Sequence, residues 1–308
     1  VLFRSMGQLM SIVGLLYVKD CNISEVVDCL SLFPPYPQFY RVDCADNGYS
    51  GRYGMDVTEK EIPSSIQINY VTVNDKYSIC LFHYRVLNSP NVIIYSHGNA
   101  TDNGCYVDFI QTIGRALNTN VIVYDYEGYG CSDGLTKNDV FFRDLMNVYI
   151  YAHQYYDGRN IFLFGDSLGS VPTCLVASHL WREHKFKVSI DKKTSIPIGG
   201  VILQSAIYSG ATALIGGCFL RRHDPYNNAA EIPSISCPIF HIHGMEDEVV
   251  PFIRGEQLYE VSKTPYSPWW IRDGKHCNLF EQNKDLYIQK VRQFMEYCQS
   301  CVYSRSEE

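Results

Sequence analysis

The stretch NIFLFGDSLGSVPTCLVASHLWRE, residues 160–183, decides the fold. NIFLFGD is a short, almost wholly apolar run of the kind that forms a buried strand, and LGSVPTCLVASHLWRE reads as a helix. The sequence G-x-S-x-G lies between them as Gly165-Asp166-Ser167-Leu168-Gly169. A serine on a sharp turn from strand to helix is the setting of a nucleophile elbow. The glycines let the turn pack without Cβ clashes, and the serine is held in a strained conformation with its oxygen exposed. The helix N-terminus beneath favours developing negative charge. A second match, Gly130-Cys131-Ser132-Asp133-Gly134, sits several residues beyond its strand with no helix following directly. It reads as a structural or substrate-facing loop, so Ser167 is the candidate nucleophile and Ser132 is not.

Outward from the elbow, short β-branched or aromatic runs alternate with longer amphipathic ones. The runs are 66–73, 78–86, 91–96, 120–126, 160–166, 200–205, 238–244 and 268–273, and the helical candidates are 104–118, 138–156, 168–184, 253–263 and 280–300. The first two runs follow closely and predict an antiparallel hairpin; the rest predict a mostly parallel central sheet with helices on both faces, an α/β class. Ligands of such sheets bind beyond the carboxyl ends of the strands. Only 32 residues separate the runs at 200–205 and 238–244, leaving room for a small lid or none. That lid would hold Gly210, Gly216, Gly217 and Arg221-Arg222, with Leu214, Ile215, Phe219 and Leu220 as its apolar part. Before the sheet, FPPYPQFY (33–40) predicts an extended surface segment and Gly48–Gly54 a Gly/Tyr-rich loop. The expected organisation is an N-terminal extension over 1–60, a catalytic domain over 61–300 and a tail over 301–308.

The chain has 308 residues, 46% of them hydrophobic and 19% charged, which supports a large core and excludes wholesale disorder. A net charge of −7 without a Lys/Arg run is a poor match to nucleic acid. The apolar stretch Leu9–Val18 is about half of what a spanning helix needs and reads as an interfacial helix at most. The 12 cysteines are scattered; Cys80, Cys174 and Cys237 lie in apolar runs, and Cys298 and Cys301 lack a second zinc-spaced pair. The expectation is a reduced, intracellular protein.

A serine hydroxyl needs a base, and the base needs an orienting acid. In this fold the chain order is Ser, acid, His. His276, on the loop DGKHCN after the last strand run, satisfies the order; His83, His153, His179, His184, His241 and His243 do not. In HGMEDEVVPF (243–252), Glu246, Asp247 and Glu248 compete for the acid; Asp247 is central and has the short side chain a fixed partner needs. The oxyanion donors are expected to be the backbone N–H of Leu168 and, from SHGNA (96–100), that of Asn99, with Ala100 as the near alternative. His97 is expected to brace that loop. Such a site requires no metal or organic cofactor.

The motifs SHGNATD (96–102), NVIVYDYEGYGCSDG (120–134), FGDSLGSVP (164–172), HGMEDEVVPF (243–252) and GKHCNLF (274–280), with FPPYP (33–37), resemble the α/β-hydrolase superfamily. More narrowly, the chain resembles the abhydrolase domain-containing protein 17 type of membrane-attached serine hydrolases. The resemblance implies Ser167, Asp247 and His276 as the triad, and removal of S-linked fatty acyl groups from membrane-associated proteins. Lipid-like acyl esters are the other candidate substrates; a carboxylesterase, a monoacylglycerol-type lipase or a prolyl-oligopeptidase-type peptidase would carry the same catalytic parts, and a catalytically idle membrane-surface scaffold is the alternative of another class. The sequence departs from the type in two places. The N-terminal cysteine cluster that is acylated in the family is reduced here to Cys21 and Cys29, and Asp166 stands before the nucleophile where a neutral residue is frequent. With Met6 as the start, MGQLMS fits an N-myristoylation pattern on Gly7. One such chain binds membranes weakly, so Cys21 or Leu9–Val18 is the expected second contact for a cytoplasmic, peripheral location.

Overall fold

The computed structural model describes residues 32–45, 48–54, 59–190, 196–210, 224 and 226–305. Gly7, Cys21, the stretch Leu9–Val18 and the lid residues 214–222 lie outside the described residues. Among the described residues, no helix is long and apolar enough to cross a membrane.

The eight predicted runs form one sheet. Its strands are β4 (Ile66–Thr72), β5 (Ser78–Tyr84), β6 (Val92–Ser96), β7 (Asn120–Tyr124), β8 (Ile161–Asp166), β9 (Gly200–Gln204), β10 (Ile239–Gly244) and β11 (Trp269–Ile271). Their spatial order is β11-β10-β9-β8-β6-β7-β5-β4. β4 pairs antiparallel with β5 through Ile66↔Tyr84, and β5 antiparallel with β7; the other pairings are parallel. The central strands are buried on both faces, which is why β6 and β7 read as continuous apolar runs rather than as alternations.

Side-chain alternation divides the core in two. Ile94, Ile122, Leu163 and Leu203 pack on one face with α2 (Phe141–His153) and α3 (Ser170–Ile190). Ile93, Val123, Phe164 and Ile202 pack on the other with α1 (Val107–Leu117) and α7 (Lys284–Arg305). Each such fully buried side chain contributes roughly 1.5–3 kcal/mol. The short α4 (Asn228–Glu231), then α5 (Phe252–Val261) and α6 (Leu279–Gln282), complete the helices. The segment expected as one helix over 280–300 is two, α6 and α7, because Asn283 leaves helical geometry at φ −129°, ψ 27°. Helix α1 closes on Asn118 in the left-handed conformation, its N–H returning to the carbonyls of Arg115 and Gly114.

The predicted loop over Gly48–Gly54 is instead a strand. β2 (Gly48–Tyr53) pairs antiparallel with β1 (Tyr40–Ala45), and then with β3 (Lys60–Glu61). Its glycines hid it, and Gly51 has a packing reason: a Cβ there would lie 2.5 Å from the Arg41 carbonyl oxygen and 2.9 Å from Ile62 Cδ1. In the proline-rich segment Tyr36 is exposed, as expected, but Tyr40 is buried against Phe82.

Chain order reverses around β6, whose neighbours are β7 on one side and β8 on the other. The loops after β6 and β8 therefore face each other across the crevice where doubly wound sheets bind ligands.

Candidate active site

Ser167 leaves β8 at φ +52°, in the left-handed region that non-glycine residues rarely adopt. A 3₁₀ turn, Ser167–Gly169, then leads into α3. The motif's glycines have specific causes. A Cβ on Gly169 would stand 1.9 Å from the Ser96 carbonyl oxygen, and one on Gly165 would stand 2.6 Å from Ser170 Cα. Only glycine lets the elbow close on the end of β6. Pro172 sits in the first turn of α3, where its missing N–H breaks no helical bond.

The loop after β10 carries Asp247 and the loop after β11 carries His276. The Gly244 and Gly274 backbones bring these loops together, with Met245 N–H donating to Ile271 O and Glu246 N–H to Gly274 O. Asp247 is buried, whereas Glu246 and Glu248 are exposed. The Asp247 carboxylate accepts the N–H groups of Val249 and Val250 at 2.9 and 2.8 Å. His276 Nδ1 lies 2.8 Å from Asp247 Oδ2, and its Nε2 lies 2.9 Å from Ser167 Oγ. A carboxylate only accepts, so Nδ1 carries the ring hydrogen and Nε2 is left to accept from the serine.

Burial works against a charged His276, but the Asp247 hydrogen bond and charge, with the Asp166 and Glu248 carboxylates, outweigh it and hold the imidazole above its ordinary 6.5. Burial likewise opposes the Asp247 charge, and His276 with the two loop N–H groups reverses this, leaving the carboxyl below its usual range. The imidazole works as a base only when neutral. Turnover that uses this base is therefore expected to fall as pH drops through its raised pKa. Asp166→Asn removes one contribution that raises that pKa, so the acidic limb of the kcat/KM profile is expected to move toward lower pH. A limb that stays put or moves up in a pH–rate series would contradict this coupling.

The loop after β6 forms the facing wall. A Cβ on Gly98 would lie 3.7 Å from Ser167 Cβ, so the Gly98–Asn99 backbone stands beside the elbow. His97 is fully buried and braces the loop, with Nδ1 donating to Gly98 O at 2.8 Å and Nε2 3.2 Å from Asp125 Oδ1. Ser132 is away from this wall. Its hydroxyl donates to Asp125 O and accepts Cys80 N–H, a structural use. A cavity of about 450 Å³ opens at the serine, lined by Gly98, Asn99, Ser167 and His276 together with Tyr95, Tyr106, Phe109, Asp166 and Phe280.

Three further features escape sequence reasoning. The Asn99 side chain accepts from Phe33 N–H and the Tyr129 hydroxyl, tying the loop to the proline-rich segment. Asp166 accepts from Tyr95 OH and Gln204 Nε2, and Gln204 Oε1 accepts from Tyr287 OH at 2.6 Å. His243, set aside on chain order, lies 3.4 Å from Asp247 while its Nε2 donates to Val250 O. The H-G-x-x-D spacing was the one available signal for the last of these.

Residues 144–277, which include Ser167, Asp247 and His276, match the family described as serine hydrolase (FSH1). The chain is 26% identical to α/β hydrolase domain-containing protein aho-3 of Caenorhabditis elegans, over 91% of this chain and 80% of the relative. It is 27% identical to human α/β hydrolase domain-containing protein 17B, over 88% of this chain and 91% of the relative. Among solved structures, the Pyrococcus furiosus esterase Pf2001 superposes with a TM-score of 0.58 at 19% identity, covering 75% of this chain and 92% of that one. The ferulic acid complex of Est1E from Butyrivibrio proteoclasticus gives 0.58 at 18%, covering 75% and 99%. The fold is that of the α/β hydrolases, and the sequence is similar to serine hydrolases of that kind. Within that class it resembles the domain-containing protein 17 group, at about 27% identity over most of its length.

Proposed function

We propose that the chain cleaves acyl thioesters and esters through Ser167, His276 and Asp247, and that its substrates are membrane-associated proteins carrying S-linked fatty acyl groups. The observation that carries the hydrolytic reading is the 2.9 Å contact between His276 Nε2 and Ser167 Oγ, with Asp247 behind the ring. Ser167 Oγ attacks the acyl carbonyl as its proton passes to Nε2. The tetrahedral oxyanion is held by the N–H groups of Leu168 and Asn99. The C–S or C–O bond then breaks, and the proton on Nε2 goes to the leaving thiolate or alkoxide. Water attacks the acyl-serine, gives its proton to His276 and releases the carboxylic acid and Ser167. Asp247 holds the ring orientation and balances the imidazolium.

The S-acyl preference rests on the resemblance to the domain-containing protein 17 group. Its test is acyl release from a peptide S-palmitoylated at one cysteine, set against the same peptide O-palmitoylated at serine and against a monoacylglycerol. The expected result is thioester cleavage fastest by wild type and absent in Ser167→Ala. Cleavage of the oxyesters with an intact thioester peptide would make the chain a carboxylesterase or lipase instead.

A further inference from the structure

The cavity beside Ser167 has two notable features, and an acyl-chain pocket calls for only the first. One is a continuous ring wall. Tyr95 contacts Tyr106 and Phe109 with centroids 5.1 and 5.0 Å apart, and Phe109 meets Phe280 at 4.8 Å. The other is a carboxylate at its floor. Asp166 lines the cavity and accepts only two hydrogen bonds among those described, from Tyr95 OH at 3.0 Å and Gln204 Nε2 at 2.9 Å. Both donors are neutral, and a carboxylate has about four lone-pair sites. Among the described residues, no Lys or Arg lines the cavity, while Glu281 adds a second acid. The one base present, His276, already gives its Nδ1 hydrogen to Asp247. A carboxylate taken from water without a fixed cation is costly, and an apolar chain laid over it would deepen that cost. A cation would remove it, and aromatic faces beside an anion are the setting that binds cationic head groups.

We propose that this cavity is a cation subsite: it selects esters and thioesters whose leaving group carries a positive charge, seated between the Tyr106–Phe109–Phe280 rings and Asp166. The proposal rests on the hydrolase reading above and adds to it a substrate feature. In an S-acylated protein the charge is a lysine or arginine close to the acylated cysteine; in a small ester it is a quaternary ammonium.

Two matched substrate pairs test the shared chemistry and separate the sources. The first is butyrylcholine against its uncharged isostere, 3,3-dimethylbutyl butyrate. The second is an S-acyl peptide with lysine, or with norleucine, beside the modified cysteine. At low salt, wild type is expected to favour the cationic member of at least one pair by about tenfold or more in kcat/KM. Asp166→Asn should bring that ratio close to one, and Phe109→Leu should lower it severalfold. If Asp166→Asn does not fold, the wild-type ratio and the Phe109→Leu ratio decide. Equal or better use of the neutral member in both pairs overturns the proposal and leaves the hydrolase reading intact, as does a preference that survives Asp166→Asn in folded protein. If none of the substrates turns over and Ser167 resists fluorophosphonate, the hydrolase reading fails. Calorimetric titration of tetramethylammonium chloride into the wild-type chain then reads the subsite alone, and no binding at tens of millimolar overturns it.

Discussion

Replacing His276 with alanine is expected to lower kcat by about six orders of magnitude, nearly all that the site adds beyond binding and oxyanion stabilisation. The reason lies at one atom. Nε2 is the acceptor described 2.9 Å from Ser167 Oγ, and a serine hydroxyl at neutral pH is a poor nucleophile unless its proton has somewhere to go. Ser167→Ala should lose a similar factor, and the double variant should be little worse than either, since the two groups perform one step. Single-turnover kinetics on an activated ester, with KM measured separately, would show this as a loss in kcat. A His276→Ala protein retaining more than about a hundredth of wild-type kcat would assign the base to another group.

Asp247→Asn is expected to lower kcat by about four orders of magnitude without unfolding the loop. Asp247 Oδ1 accepts the N–H groups of Val249 and Val250, and these bonds fix the turn after β10. An asparagine keeping them must place its NH₂ where Oδ2 now faces His276 Nδ1 at 2.8 Å. Two donors cannot share that contact, so the ring hydrogen moves to Nε2 and points at the serine, and the imidazole can no longer accept the serine proton. The variant should melt close to wild type. Thermal denaturation beside a rate assay separates this tautomer effect from a loop collapse, which would lower both.

Much of this architecture is legible in the sequence because the signals are local. The run NIFLFGD, the two glycines around Ser167 and the helix after them lie within one short stretch, and the mostly parallel α/β class follows from the alternation of runs along the chain. The rest is built from contacts between distant residues that leave no local trace. Tyr40 OH reaches Asp125 across 85 positions, and Tyr287 OH reaches Gln204 across 83. Neither spacing has a period. β2 was hidden for another reason: its Gly and Tyr content is that of a loop, and only pairing with β1 makes it a strand. Spacing alone does not separate Asp247 from Glu246 and Glu248; its central place and short side chain favour it, and the resemblance supports it. The structure distinguishes them by burial, with Asp247 inside and its neighbours outside.

These expectations converge on the reactivity of one hydroxyl. The most direct measurement is to treat the folded protein with a fluorophosphonate and locate the adduct by peptide mass spectrometry. A single phosphonyl group on Ser167, none on Ser132, and loss of labelling in His276→Ala are expected. A folded wild-type protein left unmodified, or modified at a different serine, would contradict this.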